Sequence, residues 1–276
     1  MPPRTQQTHR KCSYCGDDEH RIDNEHVWAE WYSEWLYESE VIPRGEMLRA
    51  EFGELGDTRP AGQAKKVNLK IRRQCQPCNS GWMSGLDDGA KAILVPDVIV
   101  GNRARIATMD QRALAAWAAL KATEIDLAVR VNNRKPFYSF DERSWLRQTQ
   151  IPPGQTSIWL ARASSQNRHL AWAHARDLWG TVHYGDGTSE APRGYVVTYV
   201  LGLAVFQVLS HRYPPNHGTP VHPVSNIAPA ADNVLNQIWP VTKEVIYRPT
   251  QSFDEAGLIS LTGRWEPFRP TPLPLI

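Results

Sequence analysis

Cysteine is scarce in this 276-residue chain: four residues, Cys12 with Cys15 and Cys75 with Cys78, and no others. So few cysteines make a disulfide-dense scaffold untenable, and in the cytoplasm expected below they should be thiols or metal thiolates. Long apolar runs are missing as well. The longest, YVVTYVLGLAVFQVLS at 195–210, falls short of the roughly 18 residues of a membrane span. Thr198 and Gln207 interrupt it, so it reads as buried strand. The opening MPPRTQQTHRK carries base without the apolar stretch of a secretory signal, which predicts a cytoplasmic protein with no membrane partner. Acid is absent from residues 58–86, which hold Arg59, Lys65, Lys66, Lys70, Arg72 and Arg73. No internal repeat or long low-complexity tract is present.

The composition that remains, 41% hydrophobic and 22% charged, describes a globular chain long enough for one large domain or two smaller ones, and two are expected. Eleven Trp imply large flat contacts in core or interface. Net charge is only +2, yet residues 17–57 hold thirteen acids against three Arg, immediately before the acid-free stretch. Such a switch is either a basic surface for a polyanion beside an acidic element, or two oppositely charged solvated faces.

Residues 27–38 read as a helix with Trp28, Trp31 and Trp35 inward and Glu30, Glu34 and Glu38 outward. Pro43, Gly45, Gly53, Gly56, Pro60 and Gly62 then predict a loop-rich insertion. VNLKIRRQ, 67–74, alternates as a half-buried strand with its basic side chains outward. A short helix is expected from Asn79 to before Pro96, its Gly81, Gly85 and Gly89 leaving one face bare for a packing partner or a phosphate backbone. Asp110 can open a further helix to about Val129, with Leu114, Trp117, Ala118 and Ile125 on its stripe. Lys121 in that stripe could reach DNA, but a snorkelling lysine is the more ordinary reading. From 151 onward, short β-like runs such as TSIWLAR, GYVVTYV, LAVFQVL and EVIYRP predict a mainly antiparallel α+β domain, and RPTPLPLI an extended tail.

Two residues between paired cysteines let both sulfurs reach one tetrahedral ion, so the pairs predict a structural four-cysteine zinc site in preference to a redox pair. Fifty-nine residues, 16–74, lie between the pairs, so the ion staples an insertion and does not organise a compact finger. A zinc closed by four thiolates holds no reactive water. His20 and His26 are thereby released from zinc duty, His20 to the surface and His26 to chemistry or to none.

CSYC, EHVWAEW and CQPCNSGWMSGLDD, in this order over residues 12–90, resemble a branch of the HNH endonucleases of the His-Me finger (ββα-metal) class. The resemblance implies a zinc-bound treble-clef module in which two strands and a helix form the active site. It implies His26 as general base. It also implies Glu25 and Asn79 as ligands of a catalytic Mg²⁺ or other divalent ion, and Asn68 as the middle asparagine that orients the base. Ala29 stands where the branch usually has Pro, and Asp87 where it has Glu. The implied activity is one-metal phosphodiester hydrolysis, with Lys65, Lys66, Lys70, Arg72 and Arg73 meeting nucleic acid, DNA ahead of RNA, in a phage or defence-related setting. The alternative is a non-catalytic zinc treble clef that binds nucleic acid or protein.

The expected organisation is a flexible N-terminus over 1–11, the zinc-stapled nuclease module over 12–95, a helical connecting region over 96–150 and an α+β accessory domain over 151–276. The last of these is a candidate for homo-oligomeric or partner contacts. It holds His169, His174, His183, His211, His217 and His222, read as surface or interface histidines. The purified chain should contain one zinc by atomic emission, and Cys75→Ser should lose it and melt at a lower temperature.

Overall fold

The computed structural model describes residues 11–39, 48–54, 57–64, 70–128, 135–164, 171–179, 182–183, 189–190, 193–212, 235–247 and 252–263. Its first part runs β1 (Glu25–His26), α1 (Glu30–Glu38), β2 (Leu48–Glu54), β3 (Asp57–Ala64), β4 (Lys70–Ile71), α2 (Gln76–Cys78) and α3 (Ser84–Ile93). Next come β5 (Ala104–Ile106), α4 (Thr108–Ala128) and α5 (Phe140–Thr149). The last part holds β6 (Gln155–Arg162), β7 (Ala171–Trp179), β8 (Val182–His183), β9 (Ser189–Glu190), β10 (Arg193–Leu201), β11 (Ala204–Arg212), β12 (Asn236–Trp239), β13 (Val245–Tyr247) and α6 (Glu255–Gly263). The fold is mixed α+β, as the sequence pattern predicts.

One seven-stranded sheet dominates, in the order β12-β6-β11-β10-β7-β2-β3. All of its pairings are antiparallel except β2 with β7. The apolar run at 195–210 is buried, as expected, but as two strands folded back at Gly202 and Leu203. Gly202 is required there: its φ is +60°, and a Cβ would meet the Ile99 carbonyl oxygen at 2.7 Å. Its N–H donates to the Tyr32 hydroxyl at 2.6 Å, tying α1 to the turn.

The expected loop-rich insertion instead contributes the β2–β3 hairpin to this sheet. Alternation of Leu48, Ala50 and Phe52 with Arg49, Glu51 and Gly53 is the strand signal that the surrounding Gly and Pro obscure. Pro60 is tolerated because β3 is an edge strand.

α4 lies between the cysteine-bearing part and the sheet, buried continuously from Leu114 to Leu127. Its expected single apolar stripe is therefore replaced by burial on every side. Trp117 meets Tyr199 and Phe206 edge-on, with ring centroids 6.1 and 5.4 Å apart. The Asp126 carboxylate accepts the backbone N–H groups of Phe137 and Tyr138, each at 3.0 Å. Ser139 then opens α5 with a capping box completed by Glu142.

On the far face of the sheet, α6 covers a second cluster around Trp159, Val196, Val205 and Leu258. A polar row crosses it: His174, Thr198, Gln207 and Trp159 are successive cross-strand partners. Gln207 donates to Thr198 Oγ1 at 3.3 Å and to the Leu261 carbonyl at 2.8 Å. His174, expected at a surface, is 2% exposed, because its alternation on β7 turns it beneath α6. His211 sits half-buried on β11, while His169, His217 and His222 lie outside the described residues.

The helix expected to stop before Pro96 continues through it to Val98 in a widened turn, where Ile99 N–H reaches back five residues to the Leu94 carbonyl at 2.9 Å. Widening accommodates a residue that lacks an N–H donor.

Among the described residues no helix is long and apolar enough to cross a membrane.

Burial pulls the His211 pKa down to about 4, so the fold prefers the neutral imidazole. A lowered folded-state value means stability that is present above the unfolded value near 6.5 and is lost as pH falls towards 4. The melting temperature should drop across that window, and His211→Phe should flatten the drop in a pH series of thermal melts.

Candidate metal centres and the Glu25–His26–Asn79 site

The four cysteine sulfurs converge although their pairs lie far apart in sequence, all four within 4.8 Å of one another. Cys15 and Cys75 sulfurs are 3.6 Å apart. Sulfurs bonded tetrahedrally to zinc at about 2.3 Å lie roughly 3.8 Å from one another, so the cluster fits the ion. The surrounding backbone is built to hold it. Cys75 N–H donates to the Cys12 sulfur at 3.3 Å, Gly16 N–H to the Cys12 carbonyl at 3.0 Å and Ser13 N–H to the Arg73 carbonyl at 2.7 Å. A hydrogen bond from Cys78 draws Cys12 down to about 4, whereas burial pushes Cys75 up to about 11. Sulfurs this close cannot all become thiolates without a cation between them. Among the described residues this is the one group of three or more His, Cys, Asp or Glu side chains gathered closely enough for a metal.

His20, read as a surface histidine, is exposed, and its Nδ1 lies 2.8 Å from Asp17 Oδ2.

β1 and β4 form an antiparallel pair with Glu25 opposite Ile71 and His26 opposite Lys70. Directly opposed residues share a face of the ribbon, and neighbours along a strand point to opposite faces. Glu25 therefore shares the face of Ile71, which is 4% exposed, and His26 shares the face of exposed Lys70. An Ile22–Cys75 bridge extends the pairing to the start of α2. Asn79 follows directly, at the start of a π-wound turn over Asn79–Met83 that Gly81 breaks with φ −101° and ψ −108°.

Asn79 lies close enough to Glu25 to bias its ionisation. Burial pushes the Glu25 carboxyl up, and a hydrogen bond from Asn79 and the charge of Lys121 oppose it. Asn79 Nδ2 is also 3.4 Å from Asp23 Oδ2. Asp23, two residues before Glu25 and hence on the same side of an extended chain, was not among the expected site residues. Its i, i+2 spacing from Glu25 was the available signal. Two carboxylates and an amide oxygen are hard donors of the kind Mg²⁺ takes together with water.

Of the basic residues, Lys70 and Arg72 are exposed and Arg73 is half-buried. Lys65, Lys66 and Asn68 lie outside the described residues. Among the described residues, a Cβ added at Gly81, Gly85 or Gly89 would meet nothing within 4 Å.

Lys121 neither snorkels nor reaches the surface. It is 4% exposed, with its Nζ 3.1 Å from Asp87 and 3.1 Å from Glu124. Burial opposes its charge, but the two carboxylates together raise its pKa. Burial also pushes the Glu124 carboxyl up, and the charge of Lys121 opposes that shift.

No family model matches the chain, and neither a curated protein nor a solved structure matches it significantly. Fold and site define a mixed α+β protein with a clustered four-cysteine centre beside a carboxylate–amide pair.

The Tyr14 hydroxyl, between the first two cysteines, is 2.9 Å from Thr123 Oγ1 on α4. Tyr14→Phe should lower the unfolding free energy by about 1 kcal/mol in denaturant titrations, with zinc content unchanged.

Proposed function

We propose that the protein is a metal-dependent HNH-type endonuclease that hydrolyses phosphodiester bonds of nucleic acid, DNA ahead of RNA. The observation that carries this reading is the placement of Asn79, the residue directly after the last cysteine of the cluster, 3.4 Å from Asp23 and beside Glu25, next to an antiparallel β1–β4 pair that also carries His26. Two short strands, a helix start and a four-sulfur cluster lie together here, which supports the reading of a zinc-bound treble-clef ββα site. The EHVW and CNSGWMS elements that resemble the family supply its side chains.

In this reading the four cysteines hold structural zinc and take no part in chemistry. Glu25 and Asn79, with Asp23 beside them, would hold one Mg²⁺ or similar ion. When bound, such an ion would polarise a phosphate oxygen and stabilise the leaving 3′ oxygen. His26, on the opposite face of β1 from Glu25, takes a proton from the attacking water, work suited to an imidazole near neutral pH. Attack leaves 5′-phosphate and 3′-hydroxyl ends. Lys70 shares the face of His26, and with Arg72 and Arg73 it neutralises backbone phosphates, so binding weakens as salt rises. The open glycine face of α3 leaves room for a phosphate backbone to approach.

His26→Ala should reduce divalent-dependent cleavage of a plasmid or oligonucleotide by roughly 10²- to 10⁴-fold, with zinc content and DNA binding retained. Wild-type protein that binds DNA yet cuts neither DNA nor RNA with Mg²⁺, Mn²⁺ or Ni²⁺ would instead mark a non-catalytic zinc module.

A further inference from the structure

α4 carries a buried ionic network whose far ends reach the candidate site. The Lys121 ammonium bridges Asp87 Oδ1 and Glu124 Oε2, each at 3.1 Å. Trp117 Nε1 donates to the same Asp87 oxygen at 2.7 Å, and the Trp117 ring centroid is 5.9 Å from the ammonium. Glu124 Oε1 accepts from Gln74 Nε2 at 3.3 Å. The Gln74 carbonyl accepts the Asp23 N–H at 2.9 Å, and Asp23 Oδ2 lies 3.4 Å from Asn79 Nδ2. Polar contacts joined through the covalent frames of Gln74 and Asp23 thus lead from Lys121 by way of Glu124 to Asn79.

Stability is a poor explanation for such a group. Replacing a buried ion cluster with apolar side chains is often neutral or stabilising, because desolvation offsets most of the Coulombic gain. What the network does supply is orientation. Gln74, fully buried, immediately precedes Cys75, and its side chain is held by Glu124. Its backbone in turn holds Asp23, two residues ahead of Glu25. Asp87 fixes the other end of the ammonium to α3.

We propose that Lys121 is a positioning residue: through Glu124 and Gln74 it fixes Asp23 and Asn79 in the geometry that receives the divalent ion beside Glu25. This rests on the reading of Glu25 and Asn79 as ligands of such an ion. Outer contacts of this kind commonly change metal affinity by about 10- to 100-fold.

The test is a Mn²⁺ titration of the zinc-loaded full-length chain, following free Mn²⁺ by electron paramagnetic resonance, with zinc content and melting temperature measured alongside. Wild type should bind one Mn²⁺ that Glu25→Gln abolishes. Lys121→Met should weaken that binding at least tenfold, and adding Glu124→Gln should weaken it little further, since both act on one path. Lys121→Met alone leaves buried carboxylates uncompensated, so the neutralised variant Asp87→Asn/Lys121→Met/Glu124→Gln is measured too. It should keep its zinc and still bind Mn²⁺ at least tenfold more weakly than wild type. Affinity within threefold of wild type in the neutralised variant, or additive losses in the pair, overturns the proposal. Wild type that binds no Mn²⁺ overturns it also, whether or not it cuts nucleic acid. Glu25-dependent Mn²⁺ binding that weakens as expected, in a protein that cuts nothing, upholds Lys121 as positioning residue and sinks the hydrolase reading alone.

Discussion

A helix buried on every side must find partners for each polar group it carries, and α4 carries four in a row of two turns: Lys121, Thr123, Glu124 and Asp126. Those partners are distributed around it. Asp87, Tyr14 and Gln74 belong to the cysteine-bearing part, and the N–H groups of Phe137 and Tyr138 lead into α5. Trp117 completes the arrangement by turning its indole N–H to Asp87 and its ring to Tyr199 and Phe206 on the sheet. The placement of the candidate site on the rest of the molecule depends on this satisfaction of buried polarity.

The cysteine cluster works at shorter range. Its four sulfurs draw together the turn at 12–15 and the start of α2, and the same crossing brings β1 beside β4 and Asn79 beside Glu25. A four-cysteine cluster and a carboxylate–amide pair offer donors of opposite chemical taste, soft thiolate against hard oxygen, so the two would favour different ions. The segment between the cysteine pairs also reaches outward, sending the β2–β3 hairpin to the edge of the large sheet next to β7. The insertion thus contributes both to the candidate site and to the sheet.

Features carried by local spacing were legible in advance. The two-residue gap inside each cysteine pair, the apolar runs of β6, β10 and β11 and the start of α4 need only a short window of sequence. Features that depend on a distant partner were not. The β2–β3 hairpin has an alternating pattern, but what stabilises it is pairing with β7, more than a hundred residues later. His174 looks the same as any histidine until α6 covers it. Lys121 sits where a snorkelling lysine would, and only the arrival of Asp87 and Glu124 makes its burial tolerable. The helix through Pro96 survives because one turn widens, an adjustment that no propensity encodes.

By itself the sequence determined which chemical groups were available: four thiols grouped as two chelating pairs, a Glu-His dipeptide, an asparagine after the last cysteine and an acid-free basic stretch. Ligand identity and spacing are local properties, which is why these could be read directly. Tertiary structure alone decided that the sulfurs meet, that Asn79 reaches Asp23 and lies beside Glu25, and that a buried lysine stands behind them. Most of those contacts join segments more than thirty residues apart, which the packing of α4 between the sheet and the cysteine cluster brings together.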